Sequence, residues 1–170
     1  VALSVTTLDA ELAHPMEPRT APPKSRLKAI HALSQAGVPV GVMIAPVIPG
    51  LNDSEIPAIL QAAAEAGAQS ASYVMLRLPL NVKPIFLDWL DRTLPSHKER
   101  ILSRIRNVRE GELSDSQFGK RMRGTGPIAE QIQQTFDVFA QKYNLDKKLP
   151  PLKSNGFRRP TESAGQGWLF

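Results

Sequence analysis

The chain has 170 residues, of which 42% are hydrophobic and 22% charged, an ordinary globular composition with material for one core. It contains no cysteine, which excludes disulfides, thiolate metal sites, iron–sulfur ligation and thiol nucleophiles within these residues; no run of roughly 20 apolar residues marks a membrane span and no basic-then-apolar leader marks a secretory signal, so a cytoplasmic protein without a membrane partner is expected. The net charge of +5 gathers between Arg92 and Arg123, where nine basic residues stand against four acidic ones, and such a segment either attracts a polyanion or is a solvated helix face.

Val1 to Thr7 reads VALSVTT, β-branched and alternating, and predicts a strand. A chain that opens inside a strand without methionine predicts a preceding segment. A Pro-rich loop from Pro15 to Pro23 leads to a helix over about Pro22 to Ala36, with Leu27, Ile30 and Leu33 at helical spacing and Gly37 as its stop. The apolar run from Val38 contains Pro39, Pro46 and Pro49, which confines the second strand to Val40 to Ala45. Asn52, Asp53 or Ser54 caps a helix carrying Ile56, Ile59 and Leu60, with Pro57 in its first turn and Gly67 at its end. A third strand spans Ser70 to Leu76.

Strand, helix, strand, helix, strand with short connections predicts parallel βαβ crossovers, so the fold class is α/β. Further helices follow: Val82 to Leu94; one opened by a Ser96–Glu99 capping box, with Ile101, Leu102 and Ile105 on one side; and one opened by Pro127, with Ile128, Ile132, Phe136, Phe139 and Tyr143 on one face. Trp89 reads as core. His14, His31 and His97 have no metal-ligand spacing. Lys147 to Gly167, poor in apolar groups, is expected to be extended or disordered without a partner.

Working residues of parallel sheets sit at the carboxyl ends of the strands. Ser4 and Thr6 share one face there, and either hydrogen-bond a ligand hydroxyl or fill a polar barrel interior. In RMRGTGP, Arg123 precedes Gly124 and Gly126 at the start of the Pro127 helix. It either holds an anion beside the helix amides or ties a loop to carbonyls or Glu130.

Several strings resemble a family in their order and spacing. SVTTLD with the Glu17-Pro18-Arg19 turn is similar to the end of the fourth strand of radical S-adenosylmethionine enzymes, APVIPGLNDSE resembles the loop after their fifth strand, and YVMLRLP resembles their sixth strand. With FGKRMRGTGP, these strings resemble the subgroup related to spore photoproduct lyase and described as DNA-repair-like, over nearly the whole chain. The resemblance implies the carboxy-terminal half of a partial (β/α)6 TIM-like barrel with a helical extension: residues 1–80 as the last three β/α units, 81–145 as the extension and 146–170 as a flexible tail. It implies S-adenosylmethionine and a [4Fe–4S] cluster in the full-length parent, which would start a reaction from a 5′-deoxyadenosyl radical. The cluster cysteines are absent here, so this chain alone is expected to be inactive and to need the missing amino-terminal half of the barrel. By position the resemblance carries Ser4 and Thr6 over as ribose contacts, Val47 and Ile48 as adenine-loop contacts and Arg77 as a contact from the sixth strand.

The basic segment adds nucleic acid as a partner, in repair or modification, with Arg19, Arg121 and Arg123 as anion contacts. The alternative is a non-catalytic module that contacts DNA or docks on a clamp. Gln166, Leu169 and Phe170 form Gln-x-x-Leu-Phe, resembling the peptide by which bacterial proteins dock on the sliding clamp; otherwise the tail packs back on its own barrel.

Overall fold

The computed structural model describes residues 1–151 and residue 156. The proposed clamp-docking residues Gln166, Leu169 and Phe170 lie outside them. Strands β1 (Ala2–Ser4), β2 (Gly41–Val47) and β3 (Ser70–Met75) form one parallel sheet in chain order. Parallel neighbours require crossovers, and α2 (Pro23–Gln35) and α3 (Ile56–Glu65) supply them. The α/β architecture expected from the sequence is therefore present, with three parallel strands and six helices among the described residues.

Four local readings are corrected. A helix, α1 (Ala10–Met16), replaces the first part of the expected loop, because Asp9 accepts from the amides of Glu11 and Leu12 and satisfies its amino end. Strand β2 runs on through Pro46: the register shifts between Ile44 and Val47, so a residue without an amide proton sits where the ladder is broken. The Ala45–Pro46 bond is cis. None of Asn52, Asp53 and Ser54 caps α3; the chain enters it through a 3₁₀ turn at Asp53–Glu55, and Asp53 accepts from the Gly50 amide instead. The capping box does not form, because α5 (Lys98–Asn107) is entered through a second 3₁₀ turn at Pro95–His97, which leaves Ser96 Oγ against His97 Nδ1 at 3.1 Å.

Side chains alternate across the sheet. On one face Val5, Val42, Ile44, Tyr73 and Met75 are buried against Ile30 of α2, Ile59, Leu60 and Ala63 of α3, and Ala129, Ile132 and Phe136 of α6 (Gly126–Lys142). Helix α6 thus completes the layer beside β3, packing against both α3 and β3. On the other face Ser4 is exposed, and Met43, Ala45, Ser72 and Val74 are half-buried. That face is mostly short and partly polar.

A second core sits at the carboxyl end of the sheet. Ile48, Leu76 and Leu78 meet Leu90 of α4 (Val82–Thr93) and Ile101, Leu102 and Ile105 of α5. Helix α4 reaches back to the β1 side, where Trp89 Nε1 donates to the Pro15 carbonyl at 3.0 Å. The outer edge of β3 is covered by chain from beyond α5: the Met75 amide donates to Met122 O and the Ala71 amide to Leu145 O. Among the described residues no helix is long and apolar enough to cross a membrane.

Candidate functional site

The strand ends are tied by a small set of polar side chains. Asn52 is fully buried; its Oδ1 accepts from the Ile48 amide at 2.6 Å, and its Nδ2 donates to the carbonyls of Thr6 at 2.8 Å and Pro46 at 3.0 Å. Glu55 grips the end of β1 from the same loop, accepting from Thr7 Oγ1 at 2.6 Å and the Leu8 amide at 2.8 Å. A second chain of contacts runs outside β1. Thr6 Oγ1 lies 3.4 Å from Glu17 Oε1, and Glu17 pairs with Arg26 at 2.7 Å; Arg26 also donates to the Ser4 carbonyl. Buried around Asn52, and part-buried and charge-assisted around Glu55 and the Glu17–Arg26 pair, these bonds hold the loops after β1 and β2 in one arrangement.

The residues proposed for S-adenosylmethionine divide into two kinds. Ser4 is exposed on the open face, with its hydroxyl 3.3 Å from Arg26. Arg77 is half-buried just beyond β3, and among the described residues its Nε is a buried donor without a partner. Thr6, Val47 and Ile48 are at most 1% exposed, so their side chains brace the site from within rather than face a ligand. The Thr6 hydroxyl donates to the Ala45 carbonyl at 3.2 Å, which supports the reading of a polar group satisfied within the fold. A buried guanidinium nitrogen without a partner among the described residues is the kind of group that a carboxylate or phosphate satisfies, but Arg77 follows Met75 on the far side of the strand from Ser72 and Val74, so it does not share the open face with Ser4. An iron–sulfur cluster does not fit this chain, which supplies no thiolate.

A cleft of about 590 Å³ lies elsewhere at the strand ends, between α1 and the α4–α5 connection, with Asp9, Leu12, Leu51, Glu55, His97 and Arg100 in its wall. None of Ser4, Thr6, Val47, Ile48 and Arg77 lines it.

The proposed anion contacts are not brought together. Arg19 is exposed after α1, on the β1 side, whereas Arg121 and Arg123 belong to the segment beside β3. Arg123 lies over the Tyr73 ring at 4.2 Å, and Arg121 lies 5.4 Å from the centroid of Phe118. For Arg123 this is a structural contact within the fold. It reaches Tyr73 because Gly124, at φ +77, turns the chain into α6 where a Cβ would stand 3.0 Å from the Val108 carbonyl.

Sequence reasoning missed Arg109. It is 3% exposed and donates to Leu76 O at 2.7 Å, Arg121 O at 2.9 Å and Lys120 O at 3.4 Å, fastening the basic segment to the end of β3. Burial lowers its guanidinium from the ordinary range; Asp115 opposes this and Arg77 adds to it. Nothing in the sequence distinguishes Arg109 from its basic neighbours.

Comparison with known proteins gives a partial family match. Residues 1–63 match the family model described as "Radical SAM superfamily", a span that includes β1, β2 and the Asn52 and Glu55 ties. "Uncharacterized protein Rv2578c" of Mycobacterium tuberculosis is 36% identical over 110 residues, which are 64% of this chain and 31% of that protein. The same figures hold for "Uncharacterized protein Mb2609c" of Mycobacterium bovis. "Uncharacterized protein ORF301" of Acidianus two-tailed virus is 40% identical over 47 residues, 28% of this chain and 16% of that protein. The chain thus spans about a third or less of the curated relatives it matches. No solved structure matches it.

Proposed function

We propose that the chain is the carboxy-terminal part of a radical S-adenosylmethionine enzyme and that its share of the work is to hold the cofactor at the strand ends. The match over residues 1–63 carries this reading. When bound, and given one electron by the parent protein's cluster, S-adenosylmethionine would supply a carbon-centred radical, with methionine as the leaving group, that takes a hydrogen atom from a substrate. This chain's residues bind and orient it. The exposed Ser4 hydroxyl offers a partner to ribose oxygens, and Arg77, whose Nε has no partner among the described residues, offers a guanidinium to a carboxylate. Asn52 and Glu55 keep the two loops from moving apart, so that the face stays preorganised. The cluster would be held by cysteines of the parent protein.

The test is titration of S-adenosylmethionine and its demethylated, uncharged-sulfur analogue into the chain by calorimetry. Binding that weakens at least tenfold in Arg77→Ala and only slightly in Lys83→Ala, a control on the exposed start of α4, supports the assignment. Equal binding by native protein and Arg77→Ala removes Arg77 from the site. Absence of binding to the parent protein as well removes the reading.

The substrate proposed is nucleic acid, in repair or modification as in the spore photoproduct lyase-like subgroup, on the ground of the basic surplus between Arg92 and Arg123. The non-catalytic reading, a module that contacts DNA or docks on a sliding clamp through Gln166, Leu169 and Phe170, rests on sequence alone. Titrating the terminal peptide, with and without Leu169→Ala and Phe170→Ala, against purified clamp tests it. Equal binding by both peptides defeats it.

A further inference from the structure

The segment between α5 and α6 combines a fixed backbone with an outward surface of unusual chemistry. Its backbone is held at several points. The Met122 carbonyl takes the Met75 amide at 2.9 Å, and Arg109 binds the carbonyls of Lys120 and Arg121. Within the segment, Arg121 N donates to Gln117 O and Gly124 N to Lys120 O. Yet this pinned segment turns Phe118 out to water at 87% exposure, with Met122, four residues on, at 40%. A large aromatic on a fastened loop does not serve the core, whose two clusters exclude it.

Charge narrows the partner. Lys120 is paired with Glu110 at 2.9 Å and Arg123, although exposed, is engaged over Tyr73; Arg121 is half-buried and lies over one side of the Phe118 ring, 5.4 Å from its centroid, which makes it the loop cation adjoining that exposed aromatic. A flat apolar face next to a guanidinium matches a ligand that alternates planar bases with phosphates. Duplex DNA hides its base faces in the stack, so a single strand, or a base swung out of a duplex, is the form that fits.

We infer that the loop from Gln117 to Arg123 is a single-strand nucleic-acid contact: one base stacks on Phe118, Arg121 holds an adjacent phosphate, and the buried Arg109 positions both. This rests on the nucleic-acid reading above and is independent of the cofactor. Arg109 is a positioning residue and touches no nucleotide.

The experiment is fluorescence anisotropy of labelled oligothymidylate and oligouridylate with the 170-residue chain over a salt series. Circular dichroism would verify that each variant is folded. Phe118→Ala should weaken binding about five- to hundredfold, whereas Phe118→Trp should restore it and show quenched tryptophan emission on binding. Arg121→Gln should lower the slope of log affinity against log salt by about 0.7. Equal affinities for the DNA and RNA strands are expected from stacking, and a preference for one names the source without altering the site. Binding unchanged by Phe118→Ala overturns the loop assignment and leaves the nucleic-acid reading standing. Absence of binding by the native chain at low salt overturns both. Displacement of the oligonucleotide by an acidic peptide of equal charge overturns stacking in favour of plain polyanion attraction.

Discussion

Asn52 and Thr6, 46 positions apart, are joined by a 2.8 Å hydrogen bond from a fully buried amide to a carbonyl. The same amide holds Ile48 N and Pro46 O, so one side chain closes the ends of β1 and β2. Asn52→Ala leaves three buried backbone groups without partners, and unfolding in urea should show a loss of about 2–4 kcal/mol. Asn52→Asp should cost at least as much at neutral pH, because a carboxylate replaces a donor facing two carbonyls. Either variant with native stability would show that the tie is dispensable.

Arg109 fastens the basic segment to β3 through three carbonyls. A lysine has one nitrogen and no fork to match them, so Arg109→Lys should destabilise by about 2–4 kcal/mol. Hydrogen exchange should rise first in the segment from Gln117 to Arg123. The sign of its pH effect follows from burial, which disfavours the proton in the folded state. Stability from this group therefore rises with pH, but only through the strongly alkaline range in which a guanidinium titrates, and its contribution between about pH 5 and 9 is flat. A transition near neutrality that disappears in Arg109→Lys would contradict this.

Phe136 brings α6 to the sheet, its ring 4.8 Å from that of Tyr73. Phe136→Ala should cost about 3–4 kcal/mol through lost burial and a residual cavity. Because α6 shares its core with β2 and α3, loss should appear as one cooperative transition. Separate melting of a carboxy-terminal unit would show that α6 is an appendage.

The outer side of β1 pairs with no strand among the described residues, and Arg26 occupies the Ser4 carbonyl there at 3.0 Å. With Leu80 91% and Ile85 66% exposed as well, the chain should associate as concentration rises. Arg26→Ala, which bares that carbonyl, should strengthen the association in light scattering. A monodisperse monomer at high concentration, for both proteins, would count against an open sheet.

Local chemistry is what the sequence determined. Apolar period and Gly or Pro punctuation mark β3, α3 and α6 closely, because each signal lies within the element it describes, whereas Pro46 misplaces the end of β2. The strings around the strand ends likewise carried the resemblance whose first part the match over residues 1–63 supports. Roles were another matter. Asn52 stands where a helix cap belongs, and only the approach of β1 makes it a tie instead. Val47 and Ile48 occupy a loop position that suggests ligand contact, yet packing against β3 and α5 turns their side chains inward. Arg109 and Arg121 are alike in sequence, and the edge of β3 makes one a buried strut and leaves the other beside an exposed ring. Each of these outcomes depends on partners more than 25 residues away or on burial, and neither is written in local composition, because desolvation and hydrogen bonding are decided only when distant segments meet.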